Sequence, residues 1–400
     1  MSRILSAFGL LLLLCGRADA QSSPWQPEER TTPGWTFTPG AALGGSWDSD
    51  IQVGDDSVTD ALFKKWVGIA NPYAELDYNG RHSHVNFGYS GSFEKYWSHE
   101  LLWEQRGKAG VHRILSPRVD VSANASYAAV PTTDRLQLVN GSVPFAQVNS
   151  RWIDAGGGIG WQTSPRINVF GNYRFERVAL DEPPNSAEFF TLRDGYSHEP
   201  SLGFTRDFTS RLAIGATARF RRDHVGEGED FDVRTLTGEF TYRWNAATSI
   251  SGGGGASQLY TVSLGEIEST SPTYHAGFER RLRTFSLGAH YSYGFEQLYG
   301  IGTLAKTDTF SGNAFVPLGD RLYYLNVTAA YTRNTPIRDL GIGLDLQTVW
   351  TDATVGRQLA PRLRAEAYIS MAHQDAIGRE SSSRVRVGIQ IVTSKPLRIQ

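Results

Sequence analysis

Hydrophobic and polar residues alternate strictly through much of the chain, in runs of about ten positions. Ile167, Val169, Gly171, Tyr173 and Phe175 alternate with Asn168, Phe170, Asn172, Arg174 and Glu176. Leu212, Ile214, Ala216, Ala218 and Phe220 alternate with Ala213, Gly215, Thr217, Arg219 and Arg221, and further runs begin at Phe285 and at Arg384. A period of two belongs to an extended strand whose two faces meet different surroundings. From Trp35 to about Val392 no convincing 3.6-residue period competes with it. The apolar face thins to Gly and Ala in places and thickens to Tyr, Trp and Phe toward strand ends, as expected of a lipid-facing band bounded by aromatic girdles.

Two kinds of punctuation separate the runs. Short, stereotyped turns fall at Asn79-Gly80, Ser116-Pro117-Arg118, Ser164-Pro165-Arg166, Thr209-Ser210-Arg211, Ala246 to Ser249, Leu282-Arg283, Gly319-Asp320-Arg321 and Ala360-Pro361-Arg362. Pro, Gly, Asn and Asp supply the backbone angles that tight turns need. Longer, irregular connections fall at 48–62, 96–98, 130–147, 179–195, 225–230, 261–271, 297–304, 334–339 and 375–381. Eight tight turns and nine loops join eighteen strands, with sixteen as the alternative because the turns near 247 and 282 are weak. The pattern predicts an all-β transmembrane antiparallel β-barrel over 35–394, tight turns toward the periplasm and longer loops outside, followed by a tail at 395–400.

The polar alternates should line the lumen, because a charge facing lipid costs roughly 2–4 kcal/mol at the midplane. They comprise Arg106, Lys108, Arg174, Arg219, Arg221, Arg243, Arg281, Arg364, Arg384 and Arg386, against Glu75, Asp77, Glu104, Asp120, Glu176, Glu239, Glu279, Asp345 and Glu366. The near-balance suggests interdigitated ion pairs and a wet, weakly selective interior. Loop 130–147 mixes apolar residues with Asp134 and Arg135 and is the candidate constriction, with 179–195 the second candidate for a lid.

The N-terminus adds a targeting segment. Arg3 precedes an apolar centre at Leu10 to Leu14, and Ala18-Asp19-Ala20 is a small-x-small cleavage signal, so residues 1–20 read as a signal peptide cut between Ala20 and Gln21. Residues 21–34, with three prolines and no periodicity, read as a disordered lead-in. The single cysteine lies inside the discarded segment, which excludes a disulfide framework. Mean hydropathy of −0.33 and the absence of a run of ~20 apolar residues past position 20 argue against helical spans. A net charge of −2 argues against a basic nucleic-acid binder.

Little points to catalysis, a metal or a cofactor. The glycine runs 156–160 (Gly156 to Gly158, then Gly160) and 252–255 lack the Lys-Ser/Thr and helix of a phosphate loop. His82 and His84 lack a nearby acidic or thiol ligand. His99, His198, His224 and His373 sit near loop ends, with acids such as Asp375 close by, but no spacing singles out a catalytic set. The chain is therefore expected not to be an enzyme. Glycine-rich faces at 156–160 and 252–256 would suit close strand packing or a homo-oligomer contact.

YSGSFEKYW (89–97), LSPRVDVSANASYAAVPTTD (115–134), GYSHEPSLGFT (195–205) and SRVRVGIQIVTSKPLRIQ (383–400) carry a family likeness over essentially the whole mature chain. The chain resembles the outer-membrane β-barrel porins of Gram-negative bacteria, including the group linked to exopolysaccharide and exosortase systems, and is most similar to acidobacterial members. The resemblance implies an outer-membrane barrel of unassigned cargo, with phospholipid, lipopolysaccharide and the barrel-assembly machinery as its expected partners; the polar lumen with its aromatics and mixed charges suits a passive channel for small hydrophilic solutes or oligosaccharides. A closed barrel tied to envelope structure or polysaccharide secretion is the alternative. The resemblance supplies no catalytic residues. The ending Pro396-Leu397-Arg398-Ile399-Gln400 departs from the terminal aromatic of many barrels, while Arg386, Gly388 and Ile391 partly match an internal form of that assembly signal.

Overall fold

A computed structural model of the protein describes residues 33–49, 66–96, 101–131, 148–181, 194–226, 229–261, 267–282, 284–299, 303–319, 322–337, 345–376 and 381–399. The expected signal peptide, most of the N-terminal lead-in and the candidate constriction loop with Asp134 and Arg135 lie outside those residues.

The described residues form one closed antiparallel barrel. Its strands are β1 (Gly34–Asp48), β2 (Trp66–Asn79), β3 (Ser83–Tyr96), β4 (Leu101–Ser116), β5 (Val119–Val130), β6 (Ser150–Ser164), β7 (Ile167–Leu180), β8 (Gly195–Asp207) and β9 (Leu212–Val225). They continue as β10 (Glu229–Asn245), β11 (Thr248–Thr261), β12 (Ile267–Arg281), β13 (Ser286–Leu298), β14 (Thr303–Leu318), β15 (Tyr323–Pro336), β16 (Leu346–Ala360), β17 (Leu363–Ala376), β18 (Ser382–Ser394) and β19 (Leu397–Ile399). Each strand pairs with the next, and β18 returns to β1 from Asp48↔Arg386 to Gly40↔Ser394. Past Pro396, β19 continues the same edge, with Trp35↔Ile399 and Phe37↔Leu397. The barrel thus has eighteen strands around it, the last in two pieces. Residues 397–399, expected as a tail beyond the barrel, instead complete its seam, because β1 extends six residues past Gly40 toward the turn end and offers them an unpaired edge.

All eight expected tight turns fall between consecutive strands at one end of the barrel, and the strand ends joined by the longer connections fall at the other. Register shifts fall beside the turns, at Ile114/Ser116, Gln162/Ser164, Arg243/Asn245 and Gln358/Ala360, or near a loop end at Leu259/Tyr260. A bulge reverses the side-chain alternation beyond it, so bulges at strand ends leave the two faces unmixed along the wall.

The outer face is an apolar belt. Leu43, Phe87, Ile159, Leu202, Leu236, Val355, Ile369 and Ile389 are exposed on it, and Trp66 and Trp103 at the loop end face Trp161, Tyr242 and Trp244 at the turn end. The inner face is polar and partly smoothed by glycine. Tyr73 lies over Gly40, and Tyr324 over Gly356, so closely that a Cβ at either glycine would fall 2.2 and 2.1 Å from the ring. The aromatic ring covers the backbone that the glycine leaves bare.

One segment leaves the wall. β12 pairs with β13 only from Arg281↔Ser286 to Tyr274↔Tyr293, whereas β13 stays paired with β14 as far as Leu298↔Thr303. Beyond Tyr293 the β13–β14 hairpin has therefore separated from β12, and apolar residues on both of its faces are buried. Phe295 and Leu304 pack with Val225, Phe231, Val233, Leu259 and Ile337. Leu298 and Ala305 pack with Leu346 on the other side, and Tyr299 reaches Ala128, Val130, Trp152, Val178 and Leu180. Apart from Ile337 and Leu346, which follow β15 and begin β16, those partners sit on the inner face at the loop ends of β5 to β7 and β9 to β11, so the described end of the hairpin, up to Tyr299 and Thr303, reaches into the mouth of the barrel.

Candidate functional site

The candidate site is the inner wall together with the hairpin across its loop-side mouth. Alternation puts every second residue of each strand inside, and cross-strand pairing aligns these residues into continuous rows. Glu75, Asp77, Glu104, Arg106, Lys108, Asp120, Arg174, Glu176, Arg219, Arg221, Glu239, Arg243, Glu279, Arg281, Arg364, Glu366, Arg384 and Arg386 all fall on this face, as their cross-strand partners require. Asp345 does not. It precedes β16, and its carboxylate takes Arg333 on the outer face at 3.2 Å, because Arg333 alternates with the inward Thr332 and Asn334.

Three ion-pair clusters organise the wall. At the seam, Arg384 donates to the buried Asp48 at 2.7 Å and Arg386 to the buried Glu94 at 2.9 Å, while Tyr96 donates its hydroxyl to Asp48 at 3.1 Å. Across β6 to β9, Arg174 bridges Asp154 at 2.5 Å and Glu176 at 3.2 Å, Arg219 meets Glu199 at 3.4 Å, and Trp152 donates its indole N–H to Glu176 at 3.0 Å. Near β15 to β18, Glu366 forms an ion pair with Arg364 and accepts hydrogen bonds from Tyr324 and Gln390. Lys108–Glu75 and Arg106–Glu104 add shorter links on β2 to β4. These pairs hold extended side chains against the wall rather than across the lumen.

Sequence reasoning missed several acids of this face: Asp48, Glu94, Asp154, Glu199, Asp223 and Asp352. Asp154 and Glu199 sit at inward positions of mid-strand alternations and were findable by parity. Asp48 lies at the border with a loop, where parity gives no guide. With these included and Asp345 removed, acidic groups outnumber basic ones on the inner face.

The hairpin is docked by polar as well as apolar contacts. Arg221 donates to Asp223 and to Glu296, both at 2.9 Å, and also to the Phe295 carbonyl at 2.8 Å. Gln297 donates to the His224 carbonyl at 3.1 Å. Arg221 is thus a clasp between the β9 wall and the hairpin. The inward-folded element comes from the predicted loop 297–304 and its flanking strand ends. A sequence signal for it existed: Val178, Leu180, Val225, Phe231, Val233 and Leu259 are apolar at inward positions near loop ends, where the alternation calls for polar residues.

One Ser–His–Asp set exists on the outer face. His373 Nδ1 lies 2.6 Å from Ser383 Oγ, and His373 Nε2 lies 3.0 Å from Asp375 Oδ2. His373 and Ser383 are cross-strand partners in the β17–β18 ladder, so the backbone N–H groups there belong to the ladder and do not converge on a reacting oxygen, as acyl transfer requires. Among the described residues no group of three His, Cys, Asp or Glu side chains could hold a metal ion.

No known protein family's sequence profile matches the chain, and no curated protein matches it. Among solved structures it resembles OccK9 (OpdG) of Pseudomonas aeruginosa at 11% identity over 91% of this chain and 98% of that one, with a TM-score of 0.43. It also resembles OccAB4 of Acinetobacter baumannii at 10% identity over 93% and 100%, with a TM-score of 0.43. The siderophore receptor PirA of Pseudomonas aeruginosa follows at 11% identity over 91% and 81%, with a TM-score of 0.40. The barrel is defined by its own strand register.

Proposed function

We propose that the protein is an outer-membrane barrel that passes small hydrophilic solutes by diffusion, through a polar lumen gated by the β13–β14 hairpin. The observation that carries this reading is the division of one closed wall into two faces. Exposed Leu, Ile, Val and Trp cover the outside, and rows of paired charges cover the inside. Exposing that apolar belt to water forfeits about 25 cal/mol per Å² relative to lipid, and a closed sheet is one of the two architectures whose backbone hydrogen bonds are satisfied in a bilayer. Only water or polar solute matches the inner face. Aromatic rings among the charges suit oligosaccharides, which combine apolar ring faces with hydroxyl groups.

A second reading is favoured by the hairpin. If its apolar contacts keep the mouth shut, the barrel serves envelope structure or polysaccharide export with a partner that opens it. Planar-bilayer recording separates the two. Discrete ohmic steps from the purified folded protein are expected, and no conductance at any voltage would refute the passive channel in favour of the closed barrel.

A further inference from the structure

We propose that the outer wall of β6 to β10 carries a binding site for the phosphate groups of membrane lipid headgroups, a reading that rests on the membrane barrel proposed above. Arg151, Arg177, Arg222 and Arg234 all alternate with inward residues and so lie on the outer face near the loop ends. They form a continuous patch through cross-strand neighbours. Ile153 pairs with Arg177, Arg177 with Tyr196, Tyr196 with His224, and Phe220 with Arg234. At ~4.8 Å per strand the patch is about 19 Å wide.

Its charge is only partly met by the protein. Asp232 takes Arg222 through Nε at 2.8 Å and Nη2 at 3.0 Å, and Asp230 meets His224 at 2.5 Å. Arg151 and Arg177 are exposed and have no ion-pair partner among the described residues. Arg234 is exposed too, and its guanidinium lies over the Tyr260 ring at 4.5 Å, which leaves its N–H edge open. Elsewhere the loop-side outer arginine Arg333 has a carboxylate of its own, Asp345. Immediately toward the barrel middle stand Ile153, Leu202 at 62% exposure and Leu236 at 63%. Arg151, Arg177 and Arg234, with no carboxylate partner among the described residues, therefore sit just above an apolar strip. That order matches a phosphorylated lipid, whose anionic groups lie above its acyl chains. Guanidinium presents paired N–H donors that fit phosphate oxygens bidentately, and Tyr196, stacked on His224 at 4.7 Å, adds an amphipathic ring at the interface.

The test uses the full-length protein folded in detergent micelles and titrated with bisphosphorylated lipid A, with bound lipid read by native mass spectrometry. The Arg151→Gln, Arg177→Gln, Arg234→Gln triple variant should bind at least about tenfold more weakly, the scale of losing several charge-assisted bonds. Dephosphorylated lipid should lose as much affinity for the wild type, and millimolar inorganic phosphate should not displace the lipid. Asp232→Asn, which frees Arg222, should tighten binding several-fold, and Lys306→Gln, distant on β14, should leave it unchanged. Wild-type affinity in the triple variant, or equal binding of the dephosphorylated lipid, would overturn the proposal. Displacement by inorganic phosphate would replace it with a site for free anions. Flotation with phospholipid vesicles reads the underlying premise separately: a wild type that does not float would refute the membrane barrel itself, and this site with it.

Discussion

Loosening the hairpin should open the barrel. Phe295, Leu298 and Leu304 are buried apolar side chains of the hairpin, the two leucines fully so at 0% exposure. Truncation of a buried leucine to alanine costs about 2–5 kcal/mol and of a phenylalanine about 3–5, so Phe295→Ala, Leu298→Ala, Leu304→Ala together remove roughly 7–15 kcal/mol if the sites act independently. Holding the hairpin tip against the wall requires ordering its backbone at about 1–2 kcal/mol per residue. The loss is large enough to shift the tip from docked to undocked, whereas the barrel ladder, which the three side chains do not join to β12, should persist. Single-channel recording of the triple variant should show conductance several-fold above wild type with rapid open-state noise, and the heat-dependent shift in gel mobility should report a folded barrel. Wild-type conductance from a variant that is folded and whose tip has become protease-accessible would refute the claim that the hairpin limits the path.

Other outcomes follow from particular residues. Arg221→Ala leaves the buried Asp223 without its cation and should cost about 3–5 kcal/mol, read as a lower denaturant midpoint; Glu296→Gln, whose side chain is 55% exposed, should leave that midpoint nearly unchanged while raising open probability. The acidic excess on the inner face should make the pore prefer cations in reversal-potential measurements across a KCl gradient, and acidification should erode that preference as carboxylates take up protons; a preference for chloride at neutral pH would contradict the face assignment. Ile389→Arg, on the lipid side of β18, should cost about 2–4 kcal/mol if it sits near the midplane and lower the yield of folded barrel, whereas the same change at its inward neighbour Gln390 should be tolerated by the refolding assay.

Much of the architecture was legible because a barrel strand repeats one physical decision. Arg174 lies on the inner face because Tyr173 and Phe175 lie on the outer one, and no bulge interrupts β7 to reverse them. Turns such as Ser164-Pro165-Arg166 were equally readable, since their backbone angles demand particular residues. Asp345 went astray at a strand boundary, where one position of slippage exchanges the faces. The hairpin escaped notice for another reason. Residues 294–298 keep strand alternation and full pairing with β14, and what sets them apart is the absence of β12 along one edge, a tertiary fact without a local signature. Only the apolar residues at inward positions opposite, such as Phe231 and Val233, hinted that something must cover them.

The seam between β1 and the β18–β19 edge has a kinetic consequence. Most other neighbouring strands in the barrel are joined by short connections, so the intermediate ladders can form from local contacts and at modest loop-closure cost. Gly40 and Ser394 are separated by some 350 residues, and their pairing requires the curved sheet to bring its two edges together first. Closure is then the last and slowest event of assembly, and until it happens both edges present unpaired N–H and C=O groups. The pairing of Trp35–Phe37 with Leu397–Ile399 lengthens this final zipper at the turn end, and the Asp48–Arg384 and Glu94–Arg386 pairs pin it at the other. The closing joint is thus fastened at both ends, so that a fluctuation fraying one end meets a second lock before the ring can reopen.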